Sequence, residues 1–571
     1  MAVTGNDVSE AEAPLLNDVV RSSVDFNGLP ANRSKSGCWK SASFIIGVEV
    51  AERFAYSGIS SNLISYLTGP LGQSTATAAE NVNAWNGAAT LLPLLGAFIA
   101  DSYLGRYRTI IIASLLYILG LGFLSLSAAL HSFNSSHCKN DTNNSACSPP
   151  LFEVILFFFS LYTLAFALGG HKPCLQAFGA DQFDEDDEKE CKAKSSFFNW
   201  WYFSMNGGLL VALLVLNYIQ DNLSWELGFG IPFIVMCFAL IIFLLGSMTY
   251  RFRINSDVRN PFVRINRVFV KAARNWQAAA PTVISIEEEA KQILPHRDSK
   301  FKFLDKALLA SNGSEENLCS IGDIDDAKAI LRLVPIWSTC LGYAIVFAQF
   351  STLFTKQGAT MDRYITRGFQ IPAASLQSLI MISVVSFIPI YDRILVPISR
   401  AITKKPAGIS MLQRVGFGIF LSLISMVIAA LVEIKRLTTA IKYGLVDKPE
   451  ATIPMSVWWL APQYLVLGIS HVFTMVGLQE FFYDQVPNEL KSIGLALYLS
   501  IFGTGSFLSS FLISVIEKAT SGDGRDSWFS DNLNRAHFDY FYWLVAGISA
   551  FGFASYLYFA KSYVYCRRIT V

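Results

Sequence analysis

Residues 49–56 read EVAERFAY, inside the otherwise apolar stretch SASFIIGVEVAERFAYSGISSNLISYL (41–67). About 20 mostly apolar residues suffice for a helix to cross a bilayer. Glu49, Glu52 and Arg53 would each cost roughly 2.5–3.5 kcal/mol at mid-membrane on insertion scales. They therefore require a partner, a wet cavity or a different topology. Positions 49, 52, 53 and 56 are spaced i, i+3, i+4 and i+7, so a helix places Glu49, Glu52, Arg53 and Tyr56 on one face. That stripe can turn toward a bundle interior while the other sides meet lipid or neighbouring helices.

The rest of the chain fixes the environment. Of 571 residues, 52% are hydrophobic and only 16% charged, against about 25% charged in soluble chains, so a polytopic membrane protein is expected. Twelve segments are apolar enough to span, near 41–68, 84–101, 108–130, 151–178, 196–219, 228–250, 326–353, 368–392, 410–434, 456–482, 492–516 and 538–563. The expected architecture is all-α: a tail (1–40), a six-helix bundle (41–250), a basic linker (251–325), a second bundle (326–563) and a tail (564–571). Within the linker, RFRINSDVRNPFVRINRVFVKAARN has the spacing of a basic amphipathic helix and could serve a regulatory partner. The net charge of +1 comes with no basic stripe or reading motif, so nucleic acid is excluded as a partner and the bilayer is the expected one.

Lys and Arg accumulate on the cytoplasmic side of membrane proteins. The loops that share a side with the linker include GRYR (105–108) and the region Arg393 to Lys405, which places both termini in the cytosol. The loop HSFNSSHCKNDTNNSACSPP falls on the opposite side, where sequons at Asn134, Asn140 and Asn143 predict glycosylation and Cys138 and Cys147 a disulfide. No signal peptide precedes residue 41. In the tail, EAEAPLL is similar to the acidic dileucine signals of vacuolar membrane proteins, although Ala11 stands where an acid is usual. A vacuolar membrane is expected ahead of the plasma membrane.

The second and eighth segments end alike, in GAFIADSYLGRYRTI (Asp101, Gly105, Arg106, Arg108) and IYDRILVPISR (Asp392, Arg393, Arg400). Positive-inside anchoring explains the arginines but not the paired aspartates. A parallel repeat of two six-helix halves, with a midplane site between rocking bundles, explains both. The fourth segment brings Lys172 in ALGGHKPCLQAFGADQF, and the tenth brings Glu480 in HVFTMVGLQEFFYDQ. A salt bridge between them would be made and broken as the halves move. Glu49, Glu52 and Glu480 against Arg53 and Lys172 leave one excess negative charge, so one carboxylate is expected to take a proton. An anionic substrate would compete with the carboxylates for the two cations, coupling proton to substrate.

The acidic run DQFDEDDEKECKAK (181–194) reads as a solvated helix cap. Six scattered histidines form no metal-ligand spacing, and no nucleophile elbow, Walker loop or zinc motif is present. Enzyme and ATP-driven pump are therefore both unsupported, and no cofactor beyond the coupling proton is expected.

These residues identify a resemblance. The chain resembles plant members of the nitrate and peptide transporter family, within the proton-coupled oligopeptide transporters of the major facilitator superfamily. It does so in ExxER as Glu49, Glu52 and Arg53, in GGHKPCLQAFGADQFDE (169–185), in WYFSMNGGLL (201–210) and in EFFYDQVPNELKSIG (480–494). The resemblance implies proton-driven symport by alternating access, with the first-helix charges handling protons and Lys172 pairing with Glu480. Peptide carriers of the family usually have a second tyrosine after the one matching Tyr56, and Ser57 stands there. A nitrate carrier of the family uses a histidine on the seventh helix, where this chain has Phe347. The expectation is a symporter of nitrate or another small anion, with di- and tripeptides next, bound near Arg53, Tyr56, Lys172, Phe347 and Glu480. The rival readings are a sensor that binds without transport and a passive channel that ignores the proton gradient.

Overall fold

A computed structural model describes residues 19–138, 149–184, 187–253, 261–276, 301–308, 320–366, 368–403, 409–487, 490–522 and 526–563. Twelve long helices carry the fold. The first six are α1 (Cys38–Ser60), α2 (Thr75–Ile99), α3 (Arg106–Cys138), α4 (Leu151–Ala180), α5 (Glu188–Val211) and α6 (Trp225–Leu245). The second six are α7 (Ile321–Thr339), α8 (Ser378–Ile390), α9 (Met411–Lys442), α10 (Ala461–Asp484), α11 (Lys491–Thr520) and α12 (Phe538–Ser562). Among the described residues, ten segments are long and apolar enough to cross a membrane by composition alone. An eleventh is α7 with its continuation through Ala359, bent by 46°. The remaining one is α1, whose 23 residues hold Glu49, Glu52 and Arg53. The twelve expected spans are thus all helical.

Helix pairing exposes the repeat. In the first half α1 packs on α5 and α6, α2 on α4, and α3 on α4 and α6; in the second half α7 meets α11 and α12, α8 meets α10, and α9 meets α10 and α12. These are the same five pairings shifted by six helices. The halves join along α2 and α11. Both α2 and α8 run into a π-helical turn, Ala100–Leu104 and Tyr391–Leu395, which carry Asp101 and Asp392. Such turns interrupt the i→i−4 ladder, often at functional places. After the first of them Gly105 adopts φ +75°, and its N–H closes the turn on the Ala100 carbonyl at 2.9 Å.

One feature adds to the sequence reading and one corrects it. Part of the tail is strand: β1 (Val19–Val24) pairs antiparallel with both β2 (Pro30–Asn32) and β3 (Phe252–Arg253), tying the tail to the exit of α6. The acidic run after α4 is not a solvated cap. Its carboxylates hold the basic end of the first half together: Asp181 accepts from Arg106 at 2.6 Å, Asp184 pairs with Arg33, and Glu190 accepts from Arg251 at 2.7 Å. Arg251 is 1% exposed, and a buried guanidinium without a carboxylate would be strongly destabilising. Of the described acidic residues in this run, Asp187 acts as a cap, accepting from the Lys189 and Glu190 amides at 2.9 Å.

The linker contains the expected amphipathic helix, Pro261–Arg274. Its apolar face is covered by its own chain: Ile265, Val268 and Ala272 share a cluster with Leu304, Ala307 and with Ile324, Ala327 and Ile330 of α7. Arg264 reaches Asp323 at 3.1 Å and also Asp326. The start of α7, set by a capping box between Ser320 and Asp323, thus lies within the expected linker and carries this helix with it.

The α2–α4 crossing sets how closely the first-half helices approach. A Cβ on Gly96 would lie 1.9 Å from the Gly169 carbonyl oxygen, so only glycine lets these backbones touch. Overpacking costs about 1–3 kcal/mol and sometimes more. Gly96→Leu is expected to abolish the monodisperse peak of the full chain in fluorescence-detected size-exclusion chromatography. Gly47→Ala, where nothing lies within 4 Å, should leave that peak unchanged.

Candidate functional site

The first-half wall is built on the stripe of α1. Glu49 is 1% and Glu52 0% exposed. Arg53 Nε donates to Glu49 Oε1 at 2.6 Å and lies 3.3 Å from Glu52 Oε2. The Arg53 side chain keeps 22% exposure, while the two acids it pairs with are fully buried. One helical turn on, the Tyr56 ring stacks on Trp85 of α2 at 5.7 Å, and Trp85 Nε1 is anchored on the Leu161 carbonyl at 2.8 Å. Lys172 of α4 sits with Nζ 4.2 Å above the Tyr56 ring, a contact worth roughly 0.5–2 kcal/mol when desolvated. The structure therefore brings together Glu49, Glu52, Arg53, Tyr56 and Lys172 from α1 and α4.

The second-half wall is aromatic. Phe347, on the helical segment Leu341–Ala348 that continues α7, stacks on His471 of α10 at 4.6 Å and 9°. Tyr343 Oη lies 3.2 Å from His471 Nδ1, and Phe350 and Phe502 flank Phe347 at 4.7 and 5.9 Å. His471 escapes a reading of the sequence because it stands alone in ISHVF with no ligand spacing; only folding places it beside Phe347.

Glu480 is not brought to Lys172 in this conformation. It lies 3.6 Å from Arg414 of its own half, and Arg414 in turn lies over the Tyr391 ring at 4.4 Å. The excess negative charge expected from the sequence is thereby removed: the α1–α4 cluster holds Glu49 and Glu52 against Arg53 and Lys172, and is balanced.

The halves are clasped at one end. At the end opposite the basic loops, Gln377 donates to the Ser61 carbonyl and Ser375 to the Leu213 carbonyl, each at 2.8 Å. Lys356 donates to Thr68 Oγ1 at 3.0 Å, Asp221 faces Arg363 at 3.8 Å, and Tyr218 stacks on Phe369 at 5.9 Å. Ser509 of α11 accepts from Asn83 of α2 at 3.0 Å and from Gln349 at 2.9 Å. In this conformation Lys172 rests on Tyr56 and Glu480 on Arg414, each within its own half.

Of the remaining expected residues, Arg106 is engaged with Asp181, and Arg108 lies in the first turn of α3. Asn134 is not in a loop but near the end of α3, where its side-chain nitrogen donates to Glu153. Asn140, Asn143, Cys147 and the side chains of Asp101 and Cys138 lie outside the described residues. Among the described residues no three His, Cys, Asp or Glu side chains are grouped to hold a metal.

Residues 107–529 match the PTR2 family model, described as the POT family. The chain is 64% identical over 564 residues to Protein NRT1/PTR FAMILY 5.10 of Arabidopsis thaliana, covering 99% of both chains. To Protein NRT1/PTR FAMILY 5.14 of the same plant it is 57% identical, covering 98% of this chain and 99% of the relative. Among solved structures, an auto-inhibited POT family peptide transporter matches with a TM-score of 0.70 at 22% identity, covering 93% of this chain and 98% of that one. The POT family transporter PepTSo matches at 0.67 and 20%, covering 91% and 98%. At these identities the solved structures share the fold.

The clasp generates a direct expectation. Arg363→Ala should weaken the closed far end and raise the population with that end open by about threefold or more, ~0.7 kcal/mol. Spin labels at the exposed positions Leu223 and Tyr364, one on each half, report it as growth of the longer distance component; an unchanged distribution counts against the clasp.

Proposed function

The chain belongs to the POT family and is a multi-pass membrane transporter, not an enzyme; from that premise we propose that it is a proton-coupled symporter whose preferred cargo is nitrate or another small anion. The observation that carries this reading is Arg53, held by two buried carboxylates, itself only partly buried, and one helical turn from Tyr56, over whose ring Lys172 lies. An anion arriving there meets two cations already engaged by acids of the same protein.

Charge balance supplies the coupling. With Glu49 and Glu52 matched by Arg53 and Lys172, a monovalent anion adds one uncompensated negative charge to a low-dielectric site. Protonating one carboxylate restores neutrality and frees part of the Arg53 guanidinium for the anion. Anion without proton, or proton without anion, leaves an unpaired charge, which burial penalises. This requires at least one proton per monovalent anion.

Alternating access follows from the two ends. If the basic end faces the cytosol, as loop charge directs, the present conformation opens to the cytosol and is clasped on the far side. In the opposite state Glu480 would exchange Arg414 for Lys172, closing the basic end. Lys172 would then leave Tyr56, so the gate draws on a residue of the substrate wall. EAEAPLL supports a vacuolar membrane, which would make the clasped side luminal.

Di- and tripeptides are the second reading. It is favoured by the solved neighbour named as a peptide transporter and by Glu480, whose side chain is 46% exposed and could meet a peptide amino group. Against it, Ser57 is buried and offers no phenol at the place where peptide carriers of the resemblance have one.

In oocytes expressing the protein at the plasma membrane, nitrate uptake should rise on acidifying the medium. Glu49→Gln, Glu52→Gln and Arg53→Ala should each lower that proton-driven component by about tenfold or more, ~1.4 kcal/mol, at equal surface abundance. Undiminished pH-dependent uptake in all three would sink the mechanism, and uptake of a dipeptide but not nitrate would select the second reading.

A further inference from the structure

The far-end clasp encloses a cavity of about 250 Å³ between the halves. Its first-half side is made by Ser65, on the helical turn Leu63–Thr68 that follows α1, by Asp221, in the continuation of α5 (Asn217–Asn222), and by Trp225, the first residue of α6. Its second-half side is the α7–α8 connection, with Arg363, Gln370 and Pro372. Both sides are fixed. Asn62, 1% exposed, donates to Asp221 Oδ1 at 2.7 Å, and Trp225 lies edge-on to the Tyr66 ring at 5.0 Å. Across from them the Arg363 carbonyl accepts from the Ile371 amide at 3.0 Å, closing the hairpin of strands Tyr364–Thr366 and Phe369–Gln370. The ion pair that faces this cavity is loose. Arg363 Nη1 stands 3.8 Å from Asp221 Oδ2, beyond hydrogen-bond length. Among the described residues the guanidinium makes a single hydrogen bond, to the Ile371 carbonyl at 3.4 Å, and 21% of its side chain stays exposed. Burial lowers Arg363 from its ordinary value, and Asp221 offsets this only in part.

We propose that this cavity binds a free α-amino acid from the far side, its carboxylate on the Arg363 guanidinium and its ammonium on the Asp221 carboxylate, and that the bound molecule holds the halves clasped. A guanidinium takes a carboxylate through parallel N–H bonds, but a plain carboxylate would bring a second negative charge to Asp221. A plain amine would likewise bring a second positive charge to Arg363. A zwitterion adds no net charge to the pair, so neither partner is left uncompensated. An α-amino acid carries its two charges one carbon apart and fits a pair this close; a peptide, whose charged ends are separated by at least one amide, does not. The volume lies just below the roughly 300–1,000 Å³ of sites for drug-sized ligands, and Ser65 and Gln370 suit an uncharged polar side chain. Trp225 offers a ring face to the ammonium. Because the cavity exists only where the two halves meet, a ligand that touches both stabilises the clasped state by its own affinity. The site is separate from the α1–α4 cluster and does not rest on the identity of the cargo.

The test titrates L-glutamine into the purified full-length protein by isothermal calorimetry. Saturable binding is expected, weakened about tenfold or more by Arg363→Gln and by Asp221→Asn. N-Acetyl-L-glutamine, which keeps the carboxylate and lacks the ammonium, should bind the wild type about tenfold or more less tightly than glutamine. In Asp221→Asn that preference should vanish, a change that loosening the clasp alone would not produce. Spin labels at the exposed positions Phe133 and Tyr443, near the far ends of α3 and α9, should show the shorter distance component growing with glutamine in the wild type and not in Arg363→Gln. Absence of saturable binding overturns the site. So does binding that Arg53→Ala or Glu480→Gln abolishes and Arg363→Gln leaves intact, which would put the amino acid in the central space instead. Equal affinity of the wild type for the two compounds overturns the pairing with Asp221. Should Arg363→Gln fail to fold, Asp221→Asn and the N-acetyl comparison decide the matter.

Discussion

A guanidinium 2.6 Å from Glu49 and 3.3 Å from Glu52, in the middle of an apolar helix, is the constraint on which the rest of the structure depends. Such a helix cannot face lipid on its charged side, so it must be walled in. α5 and α6 pack on it, while the touching backbones of α2 and α4 bring Trp85 and Lys172 to Tyr56. The glycines at the α2–α4 crossing therefore serve the same cluster as the charges. Without that close approach, Lys172 would have no aromatic face on which to rest and the cluster would lose its second cation.

Each half is locked internally, and besides the α2–α11 packing the halves meet through polar contacts at the far end. At its basic end the first half is held by Arg106, Arg33 and Arg251 on Asp181, Asp184 and Glu190. The second half carries the linker helix, fixed by Arg264 and an apolar face on α7. Between the halves the far-end contacts are mostly single hydrogen bonds and one ion pair of 3.8 Å. A net hydrogen bond contributes only about 0.5–1.5 kcal/mol, so these can break in sequence, whereas the internal clamps cannot be given up without stranding Arg251.

What the sequence revealed and what it hid divide along contact distance. The stripe of α1 was legible because it follows helical period, and the twelve spans because hydropathy is a local property. The repeat was legible from matched ends of two segments. Hidden were features made by residues far apart in the chain: β1 pairing with β3, Arg251 on Glu190, the stack of Phe347 on His471, and the meeting of Tyr117 with His171. The acidic run after α4 shows the limit plainly, since its charges look solvated until the arginines that answer them arrive from elsewhere. Glu480 shows a second limit: the sequence offers Lys172 as its partner, and the fold places it beside Arg414 of its own half.

The second half holds an internal comparison for the charge cluster of α1. On α9, Glu433 and Arg436 are both 0% exposed and pair at 2.6 Å. There Arg436 also donates to Thr360, Asn534 and the Leu533 carbonyl, and Gln357 donates to Glu433 at 2.7 Å. Neither partner has an unsatisfied atom, and no solvent reaches them, so protonating Glu433 would break several bonds with nothing to replace them. The cluster on α1 is the reverse: Glu49 Oε2 and both Glu52 oxygens are unbonded while Arg53 stays partly exposed. Acid and arginine three or four residues apart on a membrane helix describe both places, and the sequence does not distinguish them. Unfilled hydrogen-bonding capacity does, because a site that must accept a proton and release a cation needs places for both to go, and a site that only holds helices together does not.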